Sequence, residues 1–453
     1  MTFVPTPEAL ARHERLWMLD QKHVWHPFTQ MQLWPHDEPL IIERSEGNWL
    51  IDTLGRRWLD GISSLWVTVH GHHRKELDDA VKAQLDKVAH CTLLGQASVP
   101  SIELAAKLAA LAPKGLSKVF YSDNGSTSVE VALKMAYQYW RQTGRPEKRR
   151  FAALEEAYHG DTLGSVSVGG IEMFHQRFED LLFDVERLPS PHRFRKEGEA
   201  AALAKGLEAA ERLLKSKAHE LAALVVEPLV QGAAGMWMQP NGYVRELAEL
   251  CKKYDVLLVC DEVATGFGRT GTMFAVEQEG VTPDFLCLAK GITGGYLPLA
   301  VTMSNERVFS AFLGTAKDGK TFFHGHTYTG NPLACAAALA NLELFEKEQT
   351  LVKMRPAMQA LGRGLEQLLK HPNVGEVRRR GMMVGIELVK NKATGEEFDY
   401  GDRVGFKVCQ RARKHGVLLR PLGNVVVMMP PLSLSVNEAE LMVRSVEQSL
   451  DGL

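Results

Sequence analysis

The stretch VLLVCDEVATGFGRTG, residues 256–271, opens with five apolar residues in a row and ends the run on two acids, Asp261 and Glu262. A short, uninterrupted apolar run of this kind fits a strand buried on both faces, as in a parallel sheet covered by helices on each side. Open α/β sheets bind ligands beyond the carboxyl ends of their strands, so Asp261 is expected to face a crevice. A carboxylate buried there needs a cation or hydrogen-bond donors as partners.

Working outward, short apolar runs recur at KVFYS (118–122), RFAAL (150–154), ALVVEP (223–228), FLCLAK (285–290) and LAVTMS (299–304), separated by longer segments of helical period. That alternation predicts a large α/β domain with a mostly parallel sheet. Residues 40–61, LIIERSEGNWLIDTLGRRWLDG, alternate apolar and polar positions between glycine-centred turns and predict a small antiparallel sheet. A long Ala- and Leu-rich helical stretch follows Asn331, and MMVGIEL (382–388) and VVVMM (425–429) read as further strands. The expected organisation is an N-terminal part of a small domain over 1–73, a large α/β domain over 74–335, and a C-terminal α+β part of the small domain over 336–453. The segment SPHRFRKEGEA (190–200) reads as a basic surface loop.

Composition narrows the class of function. At 453 residues, 45% hydrophobic and 24% charged, the chain has ordinary globular values, and 53 basic against 55 acidic side chains leave a net charge of −2. Nothing in that balance points to a nucleic-acid partner. The six cysteines (Cys91, Cys251, Cys260, Cys287, Cys335, Cys409) show no paired spacing, as expected of reduced thiols in a cytoplasmic protein. The N-terminal segment is broken by Pro5, Pro7 and charges, unlike a signal peptide, and no run of about 18 apolar residues suggests a membrane span.

Two motifs are set aside. GFGRTG (266–271) has the glycine spacing of a dinucleotide loop, but it begins five residues beyond Asp261 and no clear βαβ unit follows. VHGHH (69–73) and HGH (324–326) lack the spacing that puts two imidazoles on one helix face, so no metal is expected. Three others converge. VFYSDNGSTSVEVALKMA (119–136) runs from a strand through Gly125, Ser126 and Thr127 into a helix, which offers free backbone N–H groups to an anion such as phosphate, although an ordinary capped helix would read the same way. Lys290 follows the strand FLCLA among Gly291, Gly294 and Gly295; desolvation there lowers the pKa of an amine and makes it nucleophilic. With Asp261, these supply an anchor for the phosphate, a partner for a protonated pyridine nitrogen, and an amine able to condense with the aldehyde of pyridoxal 5'-phosphate. EEAYHGD (155–161) adds Tyr158, which can stack on a planar ring, and Asp161.

At these residues the chain resembles the class III aminotransferases of fold type I, from WHPFTQM (25–31) to MMPPL (428–432), and DEVATGFGRTG with KGITGG is highly specific. DGISSLWVTVHGH (60–72), YHGDTLGSVSVG (158–169), VQGAAGM (230–236), HGHTYTGNPLACAAALANL (324–342) and RPLGNVVVMMPPL (420–432) are similar to the branch that aminates 8-amino-7-oxononanoate in biotin biosynthesis. The resemblance implies a ping-pong transaminase in which Lys290 carries the cofactor and shuttles the proton, and Asp261 meets the pyridine nitrogen. Gly125 and Ser126 would hold the phosphate and Tyr158 would stack on the ring. His326 and Thr327 would be further cofactor contacts, Thr327 reaching across from a neighbouring subunit, so that an obligate homodimer shares its active sites. Arg420 would grip the substrate carboxylate, Gly325, Trp66 and Phe28 would line the pocket, and Arg269 with Asp161 would form a further polar pair.

In one place the chain departs from members that use S-adenosylmethionine as amino donor. Those carry Tyr after the early His-Pro and an aromatic pair after Ser-Ser; here Phe28 follows His26-Pro27 and Leu65-Trp66 follows Ser63-Ser64. This is similar to the branch that uses lysine, and the sequence leaves the donor open between the two. Two competing readings stand beside this one: a class III aminotransferase for another ω-amino acid or diamine, and a noncatalytic or nicotinamide-binding protein on the same fold.

Overall fold

The computed structural model describes residues 5–453. Leu257–Asp261 is the centre of a seven-stranded sheet ordered Leu116–Ser122, Ala300–Asn305, Phe285–Leu288, Leu257–Asp261, Leu221–Val226, Arg150–Leu154, Val185–Leu188. Its pairings are parallel except that Ala300–Asn305 runs antiparallel to both neighbours. The reason is the connection. A parallel return needs a crossover of a dozen or more residues, usually a helix, whereas between Phe285–Leu288 and Ala300–Asn305 the chain forms only the 3₁₀ turn Lys290–Thr293.

Every residue of Leu221–Val226 and Leu257–Asp261 is buried, which the two-sided packing explains. Val225, Val259 and Phe285 face the helix Gly125–Gln142 through Val129, Ala132 and Ala136. The alternate residues Leu224, Leu258 and Leu286 face the other way, in one cluster with Tyr243 and Leu247 of the helix Tyr243–Lys253. The period of two along each strand therefore feeds two separate apolar layers.

The antiparallel strands Ile42–Glu46, Trp49–Asp52 and Arg57–Asp60 form as their alternation predicts, and Val417–Leu418 joins them in parallel beside Arg57–Asp60. A further sheet of Val374–Arg380, Met383–Asn391, Val425–Met428 and Arg420–Leu422 is antiparallel throughout. The helix Pro332–Lys347, capped by Asn331 Oδ1 accepting from Leu333 and Ala334, runs unbroken through residues 335 and 336. The 190–200 segment is not a simple surface loop: Ser190, Pro191 and His192 are buried, and the His192 ring stacks on Trp237 at 4.4 Å. Trp237 supplies the flat apolar face that the charge-rich sequence of the segment conceals.

At the edge of the sheet away from the strand ends that bear Asp261, Lys148 is fully buried. Its ammonium donates to the carbonyl oxygens of Ala218 (2.6 Å), Asp255 (2.7 Å) and Leu221 (3.3 Å), tying a helix end to the entries of two core strands. Burial pulls its pKa down to about 8. Lys148→Met would leave three carbonyls without a donor; we expect a loss of about 3 kcal/mol in urea unfolding, since each unmet buried polar group costs roughly 1–3 kcal/mol.

Candidate active site

The strand ends converge on a cavity of about 390 Å³ lined by Trp66, Gly125, Ser126, Tyr158, Asp261 and Lys290 among others. Asp261 ends its strand with Oδ1 accepting from the Val263 amide (3.0 Å) and Oδ2 accepting from His159 Nδ1 (2.7 Å). The carboxylate is 5% exposed, so these donors are what make its burial tolerable. The other ring nitrogen of His159 has no partner among the described residues.

Gly125 begins the helix Gly125–Gln142. Asn124 and Thr127 close a capping box, with Asn124 Oδ1 accepting from the Thr127 amide (3.1 Å) and Thr127 Oγ1 from the Asn124 amide (3.1 Å). This satisfies Thr127 but leaves the amides of Gly125 and Ser126 without a protein acceptor among the described residues. An ordinary cap and an anion cradle thus coexist in one turn. Gly125 must be glycine because a Cβ would stand 2.5 Å from Val263 Cγ1, and Gly160 because its Cβ would meet Ser126 Oγ.

Lys290 lies at positive φ (+47°), and its Nζ sits 4.8 Å from the centre of the Trp66 ring. Its pKa is lowered chiefly by desolvation, opposed by the charges of Asp261 and Glu227. The side chain is half-buried: protein atoms pack around its stem while its tip reaches the cavity. Trp66 itself ends a left-handed turn, Ser63–Trp66, with φ of +50°, +53°, +99° and +68°. Left-handed helical conformation costs roughly 1–2 kcal/mol per non-glycine residue, so this turn is strained.

Tyr158 donates from Oη to Asp161 Oδ2 (2.7 Å), and Phe174 meets its ring edge-on at 5.9 Å. Phe28 in turn packs on Phe174 (5.4 Å), which links the N-terminal segment to the cavity through an aromatic chain. Phe28 and Arg420 line a second cavity of about 820 Å³. No acid comes within ion-pair distance of Arg420 among the described residues, and burial lowers its pKa.

Four of the residues singled out in the sequence behave differently. Arg269 and Asp161 are not a pair: Arg269 is buried, donating to the carbonyls of Pro430 (2.6 Å) and Thr68 (2.7 Å), while Asp161 is held by Tyr158. The glycines of GFGRTG shape a turn that buries this arginine, not a nucleotide loop. Gly325 and Thr327 are exposed and line neither cavity of their own chain, whereas His326 Nδ1 bonds Asp123 Oδ2 (2.6 Å) at the cavity rim.

Glu227 is a further residue of the site, not singled out from the sequence. It ends the strand beside Asp261's, and its two oxygens accept from the amides of Tyr158 (3.0 Å) and Gly232 (2.9 Å). Burial pushes it up to about 7, with His159 opposing and Asp261 adding to the rise. The sequence signal of Asp261, an acid at the end of an apolar strand, is equally present in ALVVEP.

A family model for "Aminotransferase class-III" matches residues 32–450. The chain belongs to this family. Adenosylmethionine-8-amino-7-oxononanoate aminotransferase of Geobacter sulfurreducens is 52% identical over 95% of this chain and 96% of its own. The protein of that name from Aquifex aeolicus is also 52% identical, over 96% of each. Among solved structures, the Methanocaldococcus jannaschii protein of that name superposes with a TM-score of 0.93 at 43% identity, covering 97% of this chain and 99% of its own. An (S)-enantioselective omega-transaminase from Thermomicrobium roseum reaches the same TM-score at 36% identity over 96% and 98%. The aminotransferase fold therefore does not by itself separate substrates; the side chains lining the two cavities must.

In this aminotransferase the raised pKa of Glu227 carries a sign. Folded Glu227 holds its proton up to about pH 7, whereas an unfolded glutamate releases it near pH 4.3, so its contribution favours the fold at low pH and is lost as pH rises through about 7. Thermal melts of wild type and Glu227→Gln from pH 5.5 to 8 should show the wild-type advantage shrinking with pH; a constant difference would mean that Glu227 titrates in the ordinary range.

Proposed function

We propose that the chain transfers an amino group to 8-amino-7-oxononanoate, a step of biotin biosynthesis, with pyridoxal 5'-phosphate as its cofactor. The observation that carries this reading is the grouping, in one cavity, of a desolvated amine (Lys290), a buried carboxylate (Asp261) and two free amides at a helix start (Gly125, Ser126). The names and near-complete coverage of the relatives support it.

The residues present fit the cofactor: an orphaned buried nitrogen on His159 marks a polar floor, and the glycine at 125 leaves the amide cradle open. Gly125 and Ser126 would hold the phosphate, Asp261 the ring nitrogen, Tyr158 a ring face, and Lys290 the aldehyde carbon. When bound, pyridoxal phosphate supplies a carbonyl that takes up the amino group and a ring that stores an electron pair. Asp261, oriented by His159, would keep the ring nitrogen protonated. Lys290 Nζ, deprotonated more readily because it is desolvated, would carry the proton from the donor's amine-bearing carbon to the former carbonyl carbon that keeps the amino group. Trp66 closes one side against water. Arg420, with no acid beside it, binds the ketone's carboxylate through two nitrogens at once.

The assembly we read is a homodimer. Leu94 (72% exposed), Phe323 (83%) and Tyr328 (62%) leave large apolar side chains uncovered around the exposed Gly325–Thr327 segment. A second copy covering them would bring Gly325 and Thr327 of the partner subunit to each cavity, in keeping with the family resemblance. The donor is read from two opposed observations: the relatives' names carry adenosylmethionine, while Phe28 and Leu65 replace the hydroxyl and aromatic face expected of that donor.

Lys290→Ala should fold and leave neither half-reaction; measurable turnover would remove Lys290 from its role. Arg420→Ala should raise KM for the ketone about tenfold to a hundredfold with little change in the donor half-reaction, because a charged hydrogen bond contributes roughly 1.5–3 kcal/mol. Adding S-adenosylmethionine or lysine separately to the aldehyde-form enzyme, and following the cofactor absorbance, identifies the donor by which one converts it; a panel of ω-amino ketones and keto acids in place of 8-amino-7-oxononanoate tests the substrate.

A further inference from the structure

The strained turn Ser63–Trp66 has an evident restraint. Asp60, fully buried at the end of the strand Arg57–Asp60, accepts at Oδ1 from the amides of Ser64 (2.9 Å) and Ile62 (3.4 Å). At Oδ2 it accepts from Ser64 Oγ (2.8 Å) and from His72 Nε2 (2.8 Å). The turn is pinned at its other side by Ser63 Oγ donating to Met429 O (2.7 Å). His72 belongs to the histidine cluster VHGHH, whose spacing does not suit a metal, and it orients a carboxylate.

Backbone bonds within the turn, such as Trp66 N–H to Ile62 O (2.7 Å), do not by themselves offset the cost of four left-handed residues, none of them glycine; the Asp60 and Ser63 bonds add the side-chain restraint. With them, Trp66 is delivered almost fully buried to the wall facing Lys290 and Gly232; a Cβ on Gly232 would lie 3.5 Å from the indole. Beyond the turn, Gly295 packs so closely on Val67 and Thr68 that a Cβ would stand 3.0 Å from their backbone. The segment bearing Lys290 and the segment bearing Trp66 are therefore fitted face to face, and a shift in one opens the cavity.

We propose that Asp60, assisted by His72, is a positioning residue for the transamination: it holds Ser63–Trp66 in the left-handed turn and so sets the Trp66 indole that limits which ketones reach Lys290. This deepens the functional reading above and rests on it for the identity of the ketone only. Asp60 touches neither cavity, so its influence passes through Trp66.

The test compares wild type, Asp60→Asn, Ser64→Gly and the double variant. In the chain without added cofactor, amide exchange is followed at residues 63–68, with the core strand 221–226 as the internal control. Loss of the carboxylate should raise exchange at 63–68 about tenfold or more and leave 221–226 unchanged, since an opened turn is a local event. In the loaded enzyme the same substitution should raise KM for 8-amino-7-oxononanoate about tenfold, with kcat changed less than about threefold, and relax the preference among ketones of different chain width. Ser64→Gly accepts the left-handed conformation without restraint, so the double variant should recover most of both losses. Unchanged exchange at 63–68, or a double variant no better than Asp60→Asn, would overturn the proposal. Should Asp60→Asn not fold, His72→Ala removes one donor and should shift exchange and KM in the same direction by less; no shift would overturn it equally. A wild type that folds but does not aminate the ketone would defeat the functional reading, while the exchange measurement still decides the role of Asp60.

Discussion

A carboxylate cannot be left dry and alone, and that constraint organises the centre of this protein. Asp261 ends the middle strand of a sheet covered on both faces, where burial is nearly complete. It is tolerated because His159 and the Val263 amide donate to it, and because Lys290, one strand over, lies within reach of its charge. Glu227 on the opposite neighbouring strand completes a row of ionisable groups at the same edge of the sheet. Asp261 and Glu227 are held by backbone or imidazole donors that come from loops, so the loops are fixed by the carboxylates they satisfy.

The two ends of the sheet are built differently. At the far end Lys148 directs its three donors to carbonyls and locks strand entries together. At the near end, backbone strain accumulates: Ser63 to Trp66, Lys290 and Phe267 all lie at positive φ without being glycine. Strain persists where surrounding bonds over-determine a conformation, and it collects where a side chain must be aimed. A rigid floor and a strained, densely bonded rim are complementary parts of one device for holding an amine in a dry place.

Much of this was legible in the sequence because its physical signal is local. Unbroken apolar runs gave the buried strands, the acid and lysine ending two of them gave Asp261 and Lys290, and the Gly-Ser-Thr helix start gave the amide cradle. Glu227, after the apolar run of ALVVEP, carries the same signal. The aromatic chain Tyr158–Phe174–Phe28 and the burial of Pro191 and His192 had no local signal at all, since each depends on a partner far along the chain. Arg269 was legible as an arginine near the site but not as a donor to the carbonyls of Thr68 and Pro430, about 160 to 200 residues away in sequence.

The sequence by itself determined the α/β class, the strand that carries Asp261 and the lysine that follows FLCLA, because apolar periodicity and strand-end chemistry are properties of a few adjacent residues. Tertiary structure decided the rest: the reversed direction of Ala300–Asn305, the left-handed turn that presents Trp66, and the separation of Arg269 from Asp161. Those depend on which distant carbonyls, carboxylates and rings meet, and a hydrogen bond or a close packing contact is specified only once both partners have been brought to the same place.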